Sequence, residues 1–269
     1  MIIAQITDTH VRHKGGLAYE RVATDLMLEA AVRHLNTMRP QPTVVVATGD
    51  LCDRGAAEEY THLRAILSEF EMPVFLIPGN HDDRAALRDA FSDHAYLPKD
   101  GDFLHYAVDD YPVRLIGLDT VVPGEAGGHL CAERLDWLAE RLDAGPARPT
   151  VLFMHHPPFA TGVKHMDEIG LDGAEALAEI VARHPQIERI LCGHLHRPIQ
   201  MRWHGTLVST APSTAHQVVL DLRHDAPAEF NMEPPACQLH VWDAAQGLVS
   251  HTSYIGRFEG PYRFFPDAE

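Results

Sequence analysis

Six short apolar runs set the frame of this chain. Segments 2–7 (IIAQIT), 43–48 (TVVVAT), 74–78 (VFLIP), 113–118 (VRLIGL), 151–154 (VLFM) and 189–192 (RILC) are each four to six residues long. They are almost continuously apolar and rich in Val, Ile and Leu, the pattern of strands covered on both faces. Between them the period changes. Leu28, Ala31, Val32 and Leu35 fall at i, i+3, i+4, i+7, as do Leu135, Leu138, Ala139 and Leu142, with a shorter stripe at Leu177, Ile180 and Val181. Each stripe predicts a helix with one face in a core. Strands alternating with helices predict an α/β layered fold.

At 269 residues the chain lies near the upper limit for one hydrophobic core. Composition shifts near residue 211, where APSTAHQVVLDLRHDAPAEFNMEPPACQLHVWD, rich in Pro and polar residues, leads to the aromatic tail YIGRFEGPYRFFPDAE. The division expected is a core over 1–210 and a C-terminal extension over 211–269 that packs on it. The tail's YRFF (262–265) suits burial against a second copy of the chain as well as against its own core.

Thirty-eight acidic against 22 basic residues leave a formal charge of −16. Such a surface repels a nucleic-acid duplex, so no duplex partner is expected. A small anionic substrate stays open, because a bound metal reverses the field locally. No stretch approaches the roughly 18 apolar residues of a membrane helix, so no membrane partner is expected. The opening MIIAQITDTH lacks the basic n-region of a signal peptide. Cys52, Cys131, Cys192 and Cys237 are scattered, form no CxxC pair and are too sparse for a disulfide framework. A reduced, cytoplasmic protein is the expectation.

Nineteen histidines stand out, and the useful question is where they cluster. Ligand-type residues follow five of the six runs directly. DTH (Asp8, His10) follows 2–7, GD (Asp50) follows 43–48 and GNHDD (Asn80, His81, Asp82) follows 74–78. HHPP (His155, His156) follows 151–154, and GHLH (His194, His196) follows 189–192. Open α/β sheets form ligand sites outside the carboxyl ends of their strands, so five such ends can meet in one crevice. Each motif alone reads equally well as a turn. All five in order, each after a buried-strand run, exceed what turn chemistry explains. Imidazole, carboxylate and amide oxygen without thiolate suit Zn, Mn, Fe or Co. The set exceeds the demand of one tetrahedral ion and matches two ions about 3.5–4 Å apart that share a carboxylate. The shared ligand has to relieve repulsion between two dications. Asp50 is the natural candidate, with Gly49 allowing close backbone approach.

The ordered set D-x-H, GD, GNH[D/E], H, GHxH resembles the calcineurin-like metallophosphoesterase superfamily. More narrowly, it is similar to the bacterial class III cyclic nucleotide and glycerophosphodiester phosphodiesterases. The likeness runs from ITDTH through GDLCDRGAAEEY, LIPGNHDD, FMHHPP and CGHLH to STAPSTAHQV. It implies a four-layer αββα sandwich with a binuclear centre of Fe, Mn, Zn or Co. Residue by residue, it implies one ion on Asp8, His10, Asp50 and His196 and a second on Asp50, Asn80, His155 and His194. Strand alternation says that His155 and His156 point apart without saying which faces the metals. The resemblance implies His155 as ligand and leaves His156 a structural role. It further implies hydrolysis of small phosphodiesters, 3′,5′-cyclic nucleotides such as cAMP or glycerophosphodiesters, by attack of a metal-bridging hydroxide on phosphorus. Asp50 and His81 would be catalytic, and Asn80, His81 and His216 would lie at the substrate.

Within the same superfamily, DRG (Asp53, Arg54, Gly55) after GD resembles a protein phosphatase, and a phosphomonoesterase is the other alternative. Against a protein phosphatase stand GNHD in place of GNHE and the complete GHLH. Asp53 and Arg54 are expected to form a local turn or salt bridge at the start of the next helix. Two dications, Asp8, Asp50 and a hydroxide leave a formal charge of about +1, which a diester monoanion neutralises and a monoester dianion overshoots. A nuclease would need a basic stripe, and a non-catalytic scaffold would have lost ligands. His13, His34, His62, His94, His184, His204, His224, His240 and His251 read as solvated or core histidines, and His129 and His165 as loop residues bordering the crevice.

Overall fold

The computed structural model describes residues 1–145 and 147–265. Its elements run β1 (Ile2–Ile6), α1 (Thr24–Thr37), β2 (Val44–Thr48), α2 (Ala57–Leu67), β3 (Val74–Ile77), α3 (Arg84–Ala90), β4 (Tyr106–Val108) and β5 (Arg114–Leu118). There follow β6 (Gly128–His129), α4 (Ala132–Asp143), β7 (Thr150–Met154), α5 (Lys164–Asp167), β8 (Leu171–Asp172), α6 (Ala174–Arg183) and β9 (Ile187–Cys192). The chain closes with β10 (Gln200–Trp203), β11 (Thr206–Thr210), β12 (Gln217–Val218), β13 (Phe230–Asn231), β14 (Ala236–Asp243) and β15 (Gly247–Tyr254). All six apolar runs are strands, and all three stripes are buried helix faces.

Two mixed sheets lie face to face. The first has the order β15-β14-β1-β2-β3, the second β10-β11-β9-β7-β5-β4. Within each, the central strands run parallel: β1, β2 and β3 in one, β5, β7, β9 and β11 in the other. Side-chain alternation along β7 shows the layering. Val151 and Phe153 join the core that contains β1–β3, α1 and α2, whereas Leu152 and Met154 join the core under α4 and α6. Each sheet is therefore sandwiched between the other sheet and its own helices, which explains runs apolar on both faces. The architecture is a four-layer α/β sandwich.

The C-terminal segment enters the first sheet. β14 pairs antiparallel with β1 (Ile3 opposite His240), and β15 pairs antiparallel with β14. Of the segment 211–269, residues 266–269 lie outside the described residues. Tyr262, Phe264 and Phe265 of the tail are exposed rather than packed on the core. Among the described residues no helix is long and apolar enough to cross a membrane. All four cysteines are free.

Phe153 is fully buried where the sheets meet. Phe153→Ala should lower the unfolding free energy by about 3–5 kcal/mol. The check is a lower urea midpoint at unchanged m-value.

Candidate metal centre

The parallel strands of both sheets end at one place, and the backbone there is unusual. Asp8, His10, Asp50, His194 and His196 all adopt positive φ, between 43° and 69°. Left-handed backbone is sparsely populated by residues other than glycine, although Asp and His tolerate it best. Each such residue costs of order 1–3 kcal/mol, and this kind of strain clusters at functional sites. The turn lets a side chain fold back over the end of its own strand. Glycines give room for it. Gly49 has φ +89°, and a Cβ there would sit 2.5 Å from His155 Nδ1. A Cβ on Gly193 would sit 2.2 Å from Thr7 Oγ1.

The seven side chains expected as ligands are brought together in two groups that share Asp50. In the first, His155 Nε2 lies 3.4 Å from Asp50 Oδ2 and 3.1 Å from Asn80 Oδ1, and His194 Nδ1 lies 3.1 Å from the same Asn80 oxygen. The opposite ring nitrogens are committed as donors: His155 Nδ1 to the Thr48 carbonyl (2.8 Å) and His194 Nε2 to the Ile169 carbonyl (3.0 Å). A carbonyl only accepts, so those nitrogens carry the protons and the inward ones present lone pairs. Four acceptors thus face one another. In the second group, His10 Nε2 faces His196 Nε2 at 3.2 Å and Asp50 Oδ2 at 3.7 Å. His196 Nε2 is 3.4 Å from Asp8 Oδ1, while its Nδ1 donates to the His216 carbonyl (2.9 Å). Asp8 Oδ2 is buried without a hydrogen-bond partner among the described residues. Converging lone pairs and an orphaned carboxylate oxygen call for cations, and the N/O donor set fits a divalent transition ion.

The electrostatics agree. Burial raises the pKa of Asp8. Burial also acts to raise Asp50, but His155, His81 and His10 outweigh it and hold its carboxyl well below the usual range. Burial opposes a charge on His155, yet Asp50 and Asp8 draw a proton to it and lift its pKa to about 9. The pocket attracts positive charge. His156 behaves oppositely: Thr120 Oγ1 donates to its Nδ1 (2.8 Å), and its Nε2 donates to the Ala126 carbonyl (3.1 Å). Both nitrogens are occupied away from Asp50, and burial with the neighbouring His155 pushes its pKa down to about 3.

Several further residues support the ligand turns. The Asp82 carboxylate accepts from the backbone N–H groups of Leu51, Cys52 and Gly79 and from the Tyr60 hydroxyl, at 2.8–3.1 Å, and so ties the Asp50 turn to the Asn80 turn. Asp53 lies 3.6 Å from His10 Nδ1 and 3.2 Å from Arg12 Nη1. Arg54 pairs with Asp53 at 3.8 Å and is 73% exposed. After the fourth run, 113–118, the fully buried Asp119 is clasped by Arg84 at 2.6 and 2.9 Å. Of these, the sequence marked Asp82, in GNHDD, and Asp53 and Arg54, in DRG, whereas Tyr60, Arg12, Arg84 and Asp119 stand in no motif.

Over the cluster opens a cleft of about 360 Å³. His81, His165 and His216 line it, with Tyr19 and Phe230 forming an aromatic wall. His216 meets both rings edge to face, 5.2 Å from Tyr19 and 5.0 Å from Phe230, and those two lie 5.0 Å from each other. Tyr19 and Phe230 come from segments without a chemical motif. His129 is drawn off to Asp172 (2.7 Å) outside the cleft. Of the remaining histidines, His34, His62, His94 and His184 bond Ser253, Asp25, Tyr96 and Asp143, and His13, His204, His224 and His251 are exposed.

Residues 1–198 match the family model of calcineurin-like phosphoesterases. The chain belongs to the calcineurin-like phosphoesterase family. A protein of *Arcobacter nitrofigilis* named as a probable glycerophosphodiester phosphodiesterase is 43% identical over 266 residues, 98% of this chain and 97% of the relative. The 3′,5′-cyclic adenosine monophosphate phosphodiesterase of *Escherichia coli* is 31% identical over 215 residues, 80% of this chain and 76% of the relative. A dimetal phosphatase from *Danio rerio* superposes with a TM-score of 0.65 at 16% identity, covering 95% of this chain and 99% of that one, and shares the fold. Membership of a metallophosphoesterase family implies divalent metal ions, in keeping with the donor set above.

Because the His156 pKa is lower in the folded protein than the ordinary 6.5, the unfolded chain takes up the proton first. Its contribution to stability is full above pH 6.5 and is lost as pH falls toward about 3. His156→Gln can still accept from Thr120 and donate to Ala126 but does not titrate. With chelator present, the wild type should lose about 1.4 kcal/mol per pH unit more than this variant on acidification below pH 6.5. Urea unfolding at stepped pH checks it, and parallel curves would refute it.

Proposed function

We propose that this protein is a binuclear metal-dependent phosphodiesterase of small phosphodiesters, with glycerophosphodiesters preferred over 3′,5′-cyclic nucleotides. The observation that carries the reading is the pair of acceptor clusters sharing Asp50, with lone pairs of His155, His194 and His196 turned inward. Asp8, His10, Asp50 and His196 would hold one ion, and Asp50, Asn80, His155 and His194 the other. When bound, such ions lower the pKa of water toward ~7 and offset phosphoryl charge.

The chain's own residues supply orientation and a proton. His81 Nδ1 donates to the Asp53 carbonyl (2.7 Å), and its backbone N–H donates to Asp50 Oδ1 (2.9 Å). The ring is fixed beside the cluster with Nε2 as the atom free for substrate. From there a protonated His81 donates to a phosphoryl oxygen or to the leaving alkoxide. His216, held edge-on against Tyr19 and Phe230, forms the facing wall and positions the organic part of the diester. Asn80 turns its amide oxygen to the cluster and completes the floor under the phosphoryl group.

Preference for a glycerophosphodiester is supported by the degree of identity, 43% to a relative named for that activity against 34% and 31% to relatives named as cyclic nucleotide phosphodiesterases. A protein-phosphatase reading has less support, since Asp53 is engaged with His10 and Arg12 and Arg54 does not line the cleft. A second copy of this chain is the proposed partner of the exposed tail aromatics Phe258, Tyr262, Phe264 and Phe265.

Chelation followed by reconstitution with Mn²⁺, Co²⁺, Zn²⁺ or Fe²⁺ should abolish and then restore activity. In the restored enzyme kcat/KM should rank a glycerophosphodiester above cyclic AMP, and both above an aryl monoester and a phosphopeptide. A phosphopeptide in first place would overturn the assignment. His81→Ala should lower kcat by about 10²–10⁴-fold while metal analysis still finds two ions per chain. Loss of metal in that variant would instead make His81 a support of the ligands.

A further inference from the structure

Gln5 is a polar interruption of the apolar run of β1, and it is fully buried between the two sheets. Its amide nitrogen donates to acceptors on different sheets: Thr48 Oγ1 at the end of β2 (3.1 Å) and the Cys192 carbonyl at the end of β9 (2.9 Å). Each acceptor sits at the root of a ligand-bearing turn. Thr48 leads through Gly49 to Asp50, and its own carbonyl holds His155 Nδ1. Cys192 leads through Gly193 to His194 and His196, and Gly193 N–H donates to the His155 carbonyl (3.0 Å). One side-chain amide therefore fastens the two strand ends that carry three of the seven metal-facing side chains, Asp50, His194 and His196, and that hold a fourth, His155, by hydrogen bonds.

The direction of that amide is itself held. Gln5 Oε1 lies 3.2 Å from His240 Nε2, which must be the protonated nitrogen because the amide oxygen only accepts. His240 Nδ1 then accepts from the Ser250 hydroxyl (2.6 Å), and Ser250 Oγ accepts from Arg189. Every hydrogen bond points the same way, from Arg189 through Ser250, His240 and Gln5 to Thr48 and Cys192. Burial, with Arg189 nearby, pushes the His240 pKa down to about 3 and keeps the ring in the neutral form the chain requires. A flipped amide would set its oxygen against the Cys192 carbonyl and its nitrogen against His240 N–H. Buried polar chains of this kind favour a single arrangement.

We propose that Gln5 is a positioning residue of the metal centre, fixing the ends of β2 and β9 at the spacing at which Asp50, His155, His194 and His196 serve one pair of ions, with His240 setting the direction of its amide. The proposal rests on the binuclear reading above. A purely stabilising amide would, when removed, cost stability and leave the affinity for metal alone.

The test is calorimetric titration of chelator-stripped full-length protein with Co²⁺, alongside the visible absorption spectrum of the Co²⁺ protein. Gln5→Met keeps the length of the side chain and removes the donors. It should stay folded by circular dichroism, bind Co²⁺ about 10–100-fold more weakly and show a shifted spectrum. His240→Phe should move both readouts in the same direction by less. His240→Gln, which can still donate to Gln5, should restore them. Folded Gln5→Met with affinity within twofold of wild type and an unchanged spectrum overturns the proposal. If Gln5→Met does not fold, an unchanged affinity in His240→Phe overturns it instead. A wild-type chain that binds no Co²⁺ sinks the binuclear reading, and this inference with it.

Discussion

Acceptor atoms crowded so closely that only protons or cations can hold them together are the condition on which this structure turns. Asp50 sits in the middle, within 3.4 Å of a His155 nitrogen on one side and 3.7 Å of a His10 nitrogen on the other. Outer hydrogen bonds to Thr48, Ile169 and the His216 carbonyl dictate which nitrogen of His155, His194 and His196 points inward. Those carbonyls belong to the scaffold, so the tautomers are set before any ion arrives. Loss of such an outer partner typically weakens metal binding about 10–100-fold.

Holding that arrangement strains the chain locally, and the fold offsets the strain. Five metal-facing residues occupy left-handed backbone, which alone would cost several kcal/mol. Opposing this are two well-filled cores and specific ties between turns: the Asp82 carboxylate with its four donors, the Asp119–Arg84 clasp and the Gln5 amide. These polar ties are buried and satisfied, so they hold geometry without leaving unpaired groups.

The fold was legible because each strand is covered on both faces, which writes itself into sequence as an unbroken apolar run, and each helix writes a 3.6-residue stripe. The candidate site was legible because its side chains follow strand ends directly, where the connection from strand to site is a matter of two or three residues. Tyr19 and Phe230 were not, since an aromatic residue in a loop carries no local sign of what it will face. Asp53 and Arg54 read as a local salt bridge, and the pair exists, but the shorter partners of Asp53 come from the turn after β1. His240 read as a partnerless core histidine. Its partners Gln5 and Ser250 are on neighbouring strands, and only strand pairing brings them into reach.

By itself, the sequence determined the α/β plan, the order of the strand ends and the kinds of ligand atom available, because periodicity and side-chain chemistry are local properties. Tertiary structure alone decided that His155 rather than His156 turns toward Asp50, that the C-terminal strands join β1, and that an amide on β1 spans both sheets. Each of these depends on atoms far apart in the chain. Alternation along β7 permits either histidine to face inward, and the choice falls to whichever ring finds its outer partners, Thr48 for one and Thr120 with Ala126 for the other.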